Sequence, residues 1–463
     1  MYRRACRRGR SSCIFHSNLA CGDPCRLVSF QIIDFFRKTA IIEGQVFVKI
    51  NGGIDMNKLQ LKRYAKLLAK VGINPKKGQW VIIYPELDQP EFTEWVVEEL
   101  YRAGAGKVTV QWAHQPISKL KYKYEKEETL SATADWEIER LKLYQKELPA
   151  MLYLLSEDPD GLSGIDQNKV TRIRIARSKI SKPYHDAMDN HYQWCIAAVP
   201  GKAWAKKVFP ELQVNRAMEA LWDAILKASR ADGPDPVREW ARHNDNIASR
   251  CDYLNKLGLV ALEYKASNGT DFRVGLMNES LFLGGGETTL EGRYYNPNIP
   301  SEEIFTSPKA GDAEGIVYST KPLSYQGELI EDFSVRFEKG KVVEVKAKKN
   351  QELLEKMISM DEGAAMLGEC ALIADDSPIN NAGILYYNTL FDENASCHLA
   401  LGRGFSNCVR GYEALSQEEL AKLGLNDSMI HVDFMIGCKD MQITGITAKG
   451  ERVAIFKDGN WAF

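Results

Sequence analysis

Between Gln79 and Trp112 two apolar runs bracket one amphipathic stretch, and that arrangement leaves few folds open. The first run, QWVIIYP (79–85), follows the turn Pro75-Lys-Lys-Gly78 and is continuous, as a buried strand is. From Pro90 to Ala103 the spacing puts Phe92, Trp95, Val96 and Leu100 on one helical face, ended by Gly104 and Gly106. KVTVQW (107–112) is the next strand. A helix of that length between two strands implies a parallel βαβ unit. AMLYLLS (150–156) and CIAAVP (195–200) repeat the buried pattern, with helices between. A preceding helix carries Leu59, Leu61, Tyr64, Leu67, Leu68 and Val71 at helical spacing and is expected to stop at Gly72. Residues 56–250 therefore read as an open α/β domain with a parallel sheet.

After a helix ending near Leu257-Gly258 the texture changes. ALEYKAS, DFRVGLM, EGIVYST and FSVRFEKGKVVEVKA are short strands separated by turns, and Glu338-Lys-Gly-Lys341 is a hairpin connection. A helix is expected from Gln351 to Glu369, followed by more strands. Residues 251–463 read as a second, mostly antiparallel α+β domain. The length of 463 residues agrees with this division, because single cores stop growing near ~250–300 residues.

Charge excludes two classes of partner. Lys and Arg number 60 against 62 Asp and Glu, so nothing favours nucleic acid or a membrane surface, and no apolar run approaches the ~20 residues of a membrane span. No Gly-x-Gly-x-x-Gly follows a strand, which leaves dinucleotide binding unsupported. Asp158 to Asp166 faintly resembles a calcium loop but lacks its spacing and terminal Glu, and reads as a turn. Six cysteines after Met56 are scattered without a Cys-x-x-Cys pair, as reduced thiols of a cytosolic protein are.

The first 55 residues differ from the rest. They carry nine Arg and Lys against four Asp and Glu, and four of the ten cysteines. The segment SSCIFHSNLACGDPC is too polar for a signal core, and its Cys and His gaps match no zinc pattern. Met56 opens a well-formed amphipathic helix, and the preceding Asn-Gly-Gly-Ile-Asp can be encoded by a ribosome-binding sequence. Residues 1–55 are expected to be an over-extended gene start, with a disordered basic tail or a targeting segment as the alternatives.

Chemistry concentrates in the second half. In HVDFMIG (431–437) a strand turns His431 and Asp433 to one face, a good pair of ligands for a divalent ion. FDENASCHLALG (391–402) brings Asp392, Glu393 and His398 together. GECALI (368–373) sets Glu369 where a helix is expected to meet an apolar run, and a buried Glu must be hydrogen-bonded, protonated or metal-bound. Pro300-Ser-Glu-Glu-Ile-Phe-Thr-Ser-Pro308 adds Glu302 and Glu303. Each segment alone is weak. Together they suit two metal ions sharing a carboxylate, with hydrolysis as the default chemistry.

NIPSEEIFTSP (298–308), LGECALI (367–373), NTLFDENASCHLALG (388–402) and IHVDFMIG (430–437), in this order, closely resemble the aminopeptidase T/S (aminopeptidase II) family of metallo-aminopeptidases. The resemblance covers about Met56 to Phe463. It implies a dinuclear site with Glu303, Glu369, Glu393, His398, His431 and Asp433 as ligands and Glu369 as the bridge. It further implies zinc or cobalt, with manganese or magnesium also able to serve, a homodimer, and a large enclosed cavity admitting short peptides. The expected reaction is metal-assisted removal of N-terminal residues, in which a carboxylate outside the ligand set takes the proton of the attacking water. Glu302 is the candidate for that role, with Glu303 as the alternative.

One position departs from the family. Seven residues beyond His398 the family often has a tyrosine that hydrogen-bonds the tetrahedral intermediate, and this chain has Phe405. Arg403 is expected to substitute, with Tyr386, Tyr387 and Tyr412 as further candidates. Cys370, Cys397, Cys408 and Cys438 lie near the implied ligands and read as structural. A catalytically silent binding protein of the same fold is the alternative function, and a metal phosphoesterase, which would want more basic residues than Arg403 and Arg410, is third.

Overall fold

The computed structural model describes residues 58–325 and 327–463, so the expectation for residues 1–55 lies outside the described residues. The βαβ reading holds. Strands β1 (Trp80–Pro85) and β2 (Lys107–Val110) pair in parallel around the helix Pro90–Ala103, with Val81 opposite Val108. β3 (Ala150–Leu155) and β4 (Trp194–Ala198) extend the parallel sheet on the other side of β1. A fifth member, Asn298–Ile299, comes from far along the chain and pairs in parallel with β4.

Helices cover this sheet. The aromatic core includes Phe92, Trp204, Trp222 and Trp240, and Ile299, Tyr386 and Phe391 from the second half of the chain join it. The first helix corrects one expectation. It runs as α-helix over Lys58–Leu67, continues through a wide turn at Leu68–Ile73 and is capped by Asn74 at φ 45°, not by Gly72. Gly72 answers a packing need instead, since a Cβ there would lie 2.8 Å from Sγ of Cys195 on β4. The loop before the helix Gln167–Met188 is a turn as expected, and Asp166 caps that helix by accepting from the backbone N–H of Asn168 and Lys169.

The second half begins after the helix Pro236–Leu257, which ends at Gly258 in the left-handed region. Among the described residues nine antiparallel strands form one sheet, including the long hairpin Glu328–Glu338 and Lys341–Lys349, which turns where expected through Lys339 and Gly340 at positive φ. A smaller antiparallel sheet has the order His431–Met435, His398–Gly402, Leu367–Leu372, Ile304–Thr306, Leu283–Gly284. Here a second expectation is corrected. The helix from Gln351 stops at Ile358, a short 3-10 turn follows at Gly363–Ala365, and Glu369 lies within a strand whose six residues are all buried. The run LGECAL, with Gly363 a few residues before it and Asp375-Asp376 soon after, obeys strand rather than helix logic. Among the described residues no helix is long and apolar enough to cross a membrane.

Candidate metal centre

The small antiparallel sheet sets its polar residues by register. Ala400 stands opposite Glu369 on one side and Asp433 on the other, while His398 stands opposite Ala371 and Gly402 opposite His431. Side chains two residues apart on a strand share a face, so Glu369, His398, His431 and Asp433 all rise from the same side of the sheet. Glu303 enters beside them, one residue before Ile304, whose partner is Leu372. Ala371 and Ala400 between the polar positions are fully buried and small, which leaves room for the longer side chains to converge. Glu393 arrives from a different element, the last residue of the short helix Thr389–Glu393.

The distances are those of a cluster. Nε2 of His431 lies 3.1 Å from Oε2 of Glu369 and 3.3 Å from Oδ1 of Asp433. Nε2 of His398 lies 3.6 Å from Oε2 of Glu303 and 3.9 Å from Oδ1 of Asp433. Donor atoms of Glu303, Glu369 and His398 lie within 4.8 Å of one another, and so do those of Glu369, His431 and Asp433. Glu369 belongs to both sets. Glu393 belongs to neither, although it lines the same cavity.

Both imidazoles are oriented from behind. Nδ1 of His431 donates to the carbonyl of Arg403 at 2.7 Å, and Nδ1 of His398 donates to the carbonyl of Glu393 at 3.0 Å. In each ring this aims Nε2 at the cluster, the usual arrangement of a metal-binding histidine once that nitrogen has lost its proton.

The electrostatics of the bare cluster are unfavourable. Burial, and then the charges of Glu369 and Asp433, hold the Glu303 carboxyl well above the usual carboxylate range. Burial, followed by Asp433 and Glu303, does the same to Glu393. Burial works against a charged ring at His431, yet Asp433 and Glu369 raise it well above its ordinary value. Asp433 is held low by His431 against the opposing effect of burial, and its Oδ1 is buried without a hydrogen-bond partner. Buried carboxylates that repel one another, an orphaned oxygen and two imidazoles with Nε2 aimed at them form a donor set that divalent ions fit, an ion taking the place of the proton on His431.

The cluster faces a cavity of 820 Å³. Its lining also includes Leu155, Trp194 and Ile196 of the parallel sheet, so both sheets border it. The other expected residues fall as follows. Glu302 is held at both carboxylate oxygens by Arg230, with Oε2 accepting from Nη2 at 2.9 Å, and it is not among the residues lining the cavity. Successive side chains of an extended segment diverge, so the segment that directs Glu303 inward directs Glu302 away. Arg403 lines the cavity, but its guanidinium lies 3.6 Å from Asp186 and 3.5 Å from Asp189, with no carboxylate of the cluster within pairing distance. Phe405 packs against His431 at 4.8 Å between ring centroids and against Phe305 at 5.5 Å. Of the candidate tyrosines, Tyr387 lines the cavity, whereas Tyr386 and Tyr412 do not. Cys370 and Cys397 are buried free thiols, and Sγ of Cys397 donates to the carbonyl of Ile373.

One cavity residue carries no signal in the motifs above. Glu287 lines the cavity and accepts a hydrogen bond from Oη of Tyr295 at 2.8 Å. The run Gly284-Gly285-Gly286 just before it is the feature that could have pointed there, since consecutive glycines mark a close backbone approach.

The family model of the thermophilic metalloproteases (M29) matches residues 57–461. The chain belongs to the M29 metalloprotease family. Relatives span nearly all of it. Aminopeptidase AmpS of Bacillus subtilis is 40% identical over 411 residues, which cover 89% of this chain and 100% of the relative. Aminopeptidase T of Thermus thermophilus is 37% identical over 409 residues, 88% of this chain and 100% of the relative. The solved structure of wild-type AmpT from Thermus thermophilus superposes with a TM-score of 0.80 at 36% identity, covering 88% of this chain and 100% of that one. The resemblance drawn from four motifs thus extends to the whole M29 fold, mixed α/β with one parallel sheet and antiparallel partners.

Proposed function

We propose that this M29 chain is a metal-dependent aminopeptidase that removes N-terminal residues from short peptides. The observation that carries the reading is the convergence of Glu303, Glu369, His398, His431 and Asp433 on one sheet face, with Glu393 beside them, at the wall of a cavity. The names of the relatives supply the kind of peptide bond attacked.

These six residues would hold two divalent ions, and Glu369 is the one whose carboxylate belongs to both donor sets. Ions held there supply a polarised carbonyl and a water acidic enough to attack at neutral pH. The protein's own part is to keep both Nε2 atoms aimed at the cluster through the carbonyls of Arg403 and Glu393. The aromatic and aliphatic side chains of the cavity wall, Trp194, Phe305 and Leu390 among them, exclude bulk water from the peptide. Zinc or cobalt suits a site of mixed imidazole and carboxylate donors best, and manganese or magnesium would bind its carboxylates. A homodimer and a cytosolic setting belong to the same reading. The dimer rests on the family resemblance, and the compartment on the six described cysteines, all free thiols. Arg403 keeps its proposed role in steadying the oxyanion only if its guanidinium leaves Asp186 and Asp189 when substrate binds.

The test is hydrolysis of aminoacyl-p-nitroanilides and dipeptides by protein begun at Met56, metal-stripped and then supplied with zinc, cobalt, manganese or magnesium, beside Glu369→Ala. Turnover that needs metal and a free N-terminus and disappears in the variant supports the reading. Two ions bound per chain with no turnover would sink it.

A further inference from the structure

Peptide hydrolysis gains from a group that is free to accept and return a proton, and a carboxylate committed to metal cannot serve. Seven carboxylates line the cavity, four of which are in the ligand set. Of the remaining three, Asp189 lies 3.5 Å from the Arg403 guanidinium. Glu157 follows β3 and also borders a separate cavity shared with Glu86 and Asp88. That leaves Glu287.

Local sequence places Glu287 close to the cluster. The strand Leu283–Gly284 pairs with Ile304 and Phe305, the residues directly after Glu303. A Cβ on Gly284 would lie 2.4 Å from the carbonyl oxygen of Glu303, so only glycine permits this approach. Gly285 has φ +72°, and a Cβ on Gly286 would lie 2.1 Å from the Tyr294 ring. The three glycines press the chain against the ligand segment and then turn it into the two-stranded ribbon Glu287–Thr288 and Tyr294–Tyr295. Glu287 stands directly opposite Tyr295 in that ribbon, which fixes the hydrogen bond from Oη.

Resting on the aminopeptidase reading, we propose that Glu287 is the general base and then the general acid of the hydrolysis. Its carboxylate takes one proton from the water whose oxygen bonds to the scissile carbonyl carbon. As the C–N bond breaks, the electron pair stays on the amine nitrogen and the proton held by Glu287 passes to it. The new carboxylic acid loses its remaining proton to the amine or to solvent, giving a carboxylate and an ammonium, and Glu287 is restored. Burial holds this carboxyl above its ordinary value while the Tyr295 hydroxyl pulls it down, which moves it toward neutrality, where such a group works best. The other titratable groups that act on it are Asp189, Glu303, Cys408 and Tyr412.

The experiment uses the full chain loaded with zinc, and leucyl-p-nitroanilide as substrate. Glu287→Gln is expected to lower kcat about 100-fold or more with KM within about threefold, and to keep the wild-type zinc content after dialysis. Added formate is expected to restore part of the activity of Glu287→Ala. Retention of more than about one fifth of kcat, a loss confined to KM, or a loss that follows zinc content would overturn the assignment. Tyr295→Phe gives a second arm that leaves the carboxylate in place. Losing the donor raises the pKa of Glu287, so the acid limb of the kcat profile moves to higher pH, and an unmoved limb in folded protein also overturns the proposal. A wild-type protein inactive on every free-amine substrate would sink the aminopeptidase reading itself, whereas active wild type beside an unimpaired Glu287→Gln sinks Glu287 alone.

Discussion

Nε2 of His431 reaches across the intervening strand His398–Gly402 to within 3.1 Å of Oε2 of Glu369. The reach depends on what lies beneath. Ala400, opposite both Glu369 and Asp433, is fully buried and small, and any longer side chain there would stand where the donors meet. Ala400→Leu is therefore expected to cut bound metal by more than half and to destabilise the protein by about 1–3 kcal/mol through overpacking. Metal analysis after dialysis and urea unfolding measure the two effects separately.

Stripping the metal exposes the repulsion within the cluster. The pKa values of Glu303, Glu393 and His431 are all raised in the folded chain. A raised pKa means that the folded state holds its proton more tightly, so the associated stability is present below the unfolded pKa and lost as pH rises. Those unfolded values are about 4.3 for Glu and 6.5 for His. The lowered pKa of Asp433 acts the other way, but only near and below about 3.9. Chelator-treated protein should unfold at lower temperature at pH 8 than at pH 5. Restoring zinc should raise the pH 8 value most, and a metal-free midpoint that rises with pH would contradict the cluster's electrostatics.

Phe405 offers a gain-of-function test. Its ring lines the cavity and packs on His431. Phe405→Tyr adds one hydroxyl at the position where the family resemblance leads us to expect a tyrosine. If that hydroxyl reaches the tetrahedral intermediate, kcat should rise about tenfold with little change in KM, a fraction of what one oxyanion donor contributes elsewhere. Equal kcat in the two proteins would mean that another group already does this work.

The pair of Arg230 with Glu302 separates structure from chemistry. Both side chains are largely buried, at 23% and 10% exposed, so removing one partner strands the other. Arg230→Met is expected to cost about 2–4 kcal/mol in urea unfolding. Glu302→Gln should leave kcat within about threefold while zinc is retained. A 100-fold loss in that variant would return Glu302 to the role of proton acceptor.

The parallel sheet was legible because its strands are continuous apolar runs and its helices carry caps and clear faces. β1 to β4 and the helix Pro90–Ala103 fall within two residues or so of their expected bounds. The shared face of His431 and Asp433 was legible because His431-x-Asp433 encodes strand geometry directly. Glu369 was misplaced on a helix because an apolar run of six residues carries no period of its own and borrows that of its neighbours. The pairing of Glu302 with Arg230 joins residues 72 positions apart, and nothing local signals it. Glu287 escaped notice for a related reason: its importance lies in where three glycines let the backbone go, not in a motif of donor atoms.

Asn298–Ile299 belongs to the parallel sheet, and Ile304–Thr306, only a few residues later, belongs to the smaller antiparallel sheet. The segment between them is a seam, and Glu303 sits on it. No proteolytic fragment that stops before this seam or starts after it can assemble the cluster. During synthesis the same geometry enforces an order of events. The parallel sheet must wait for residue 298 to gain its edge strand, and the cluster must wait for Asp433, near the end of the chain. Until Asp433 has been made, a growing chain lacks one of the buried carboxylates that the cluster needs.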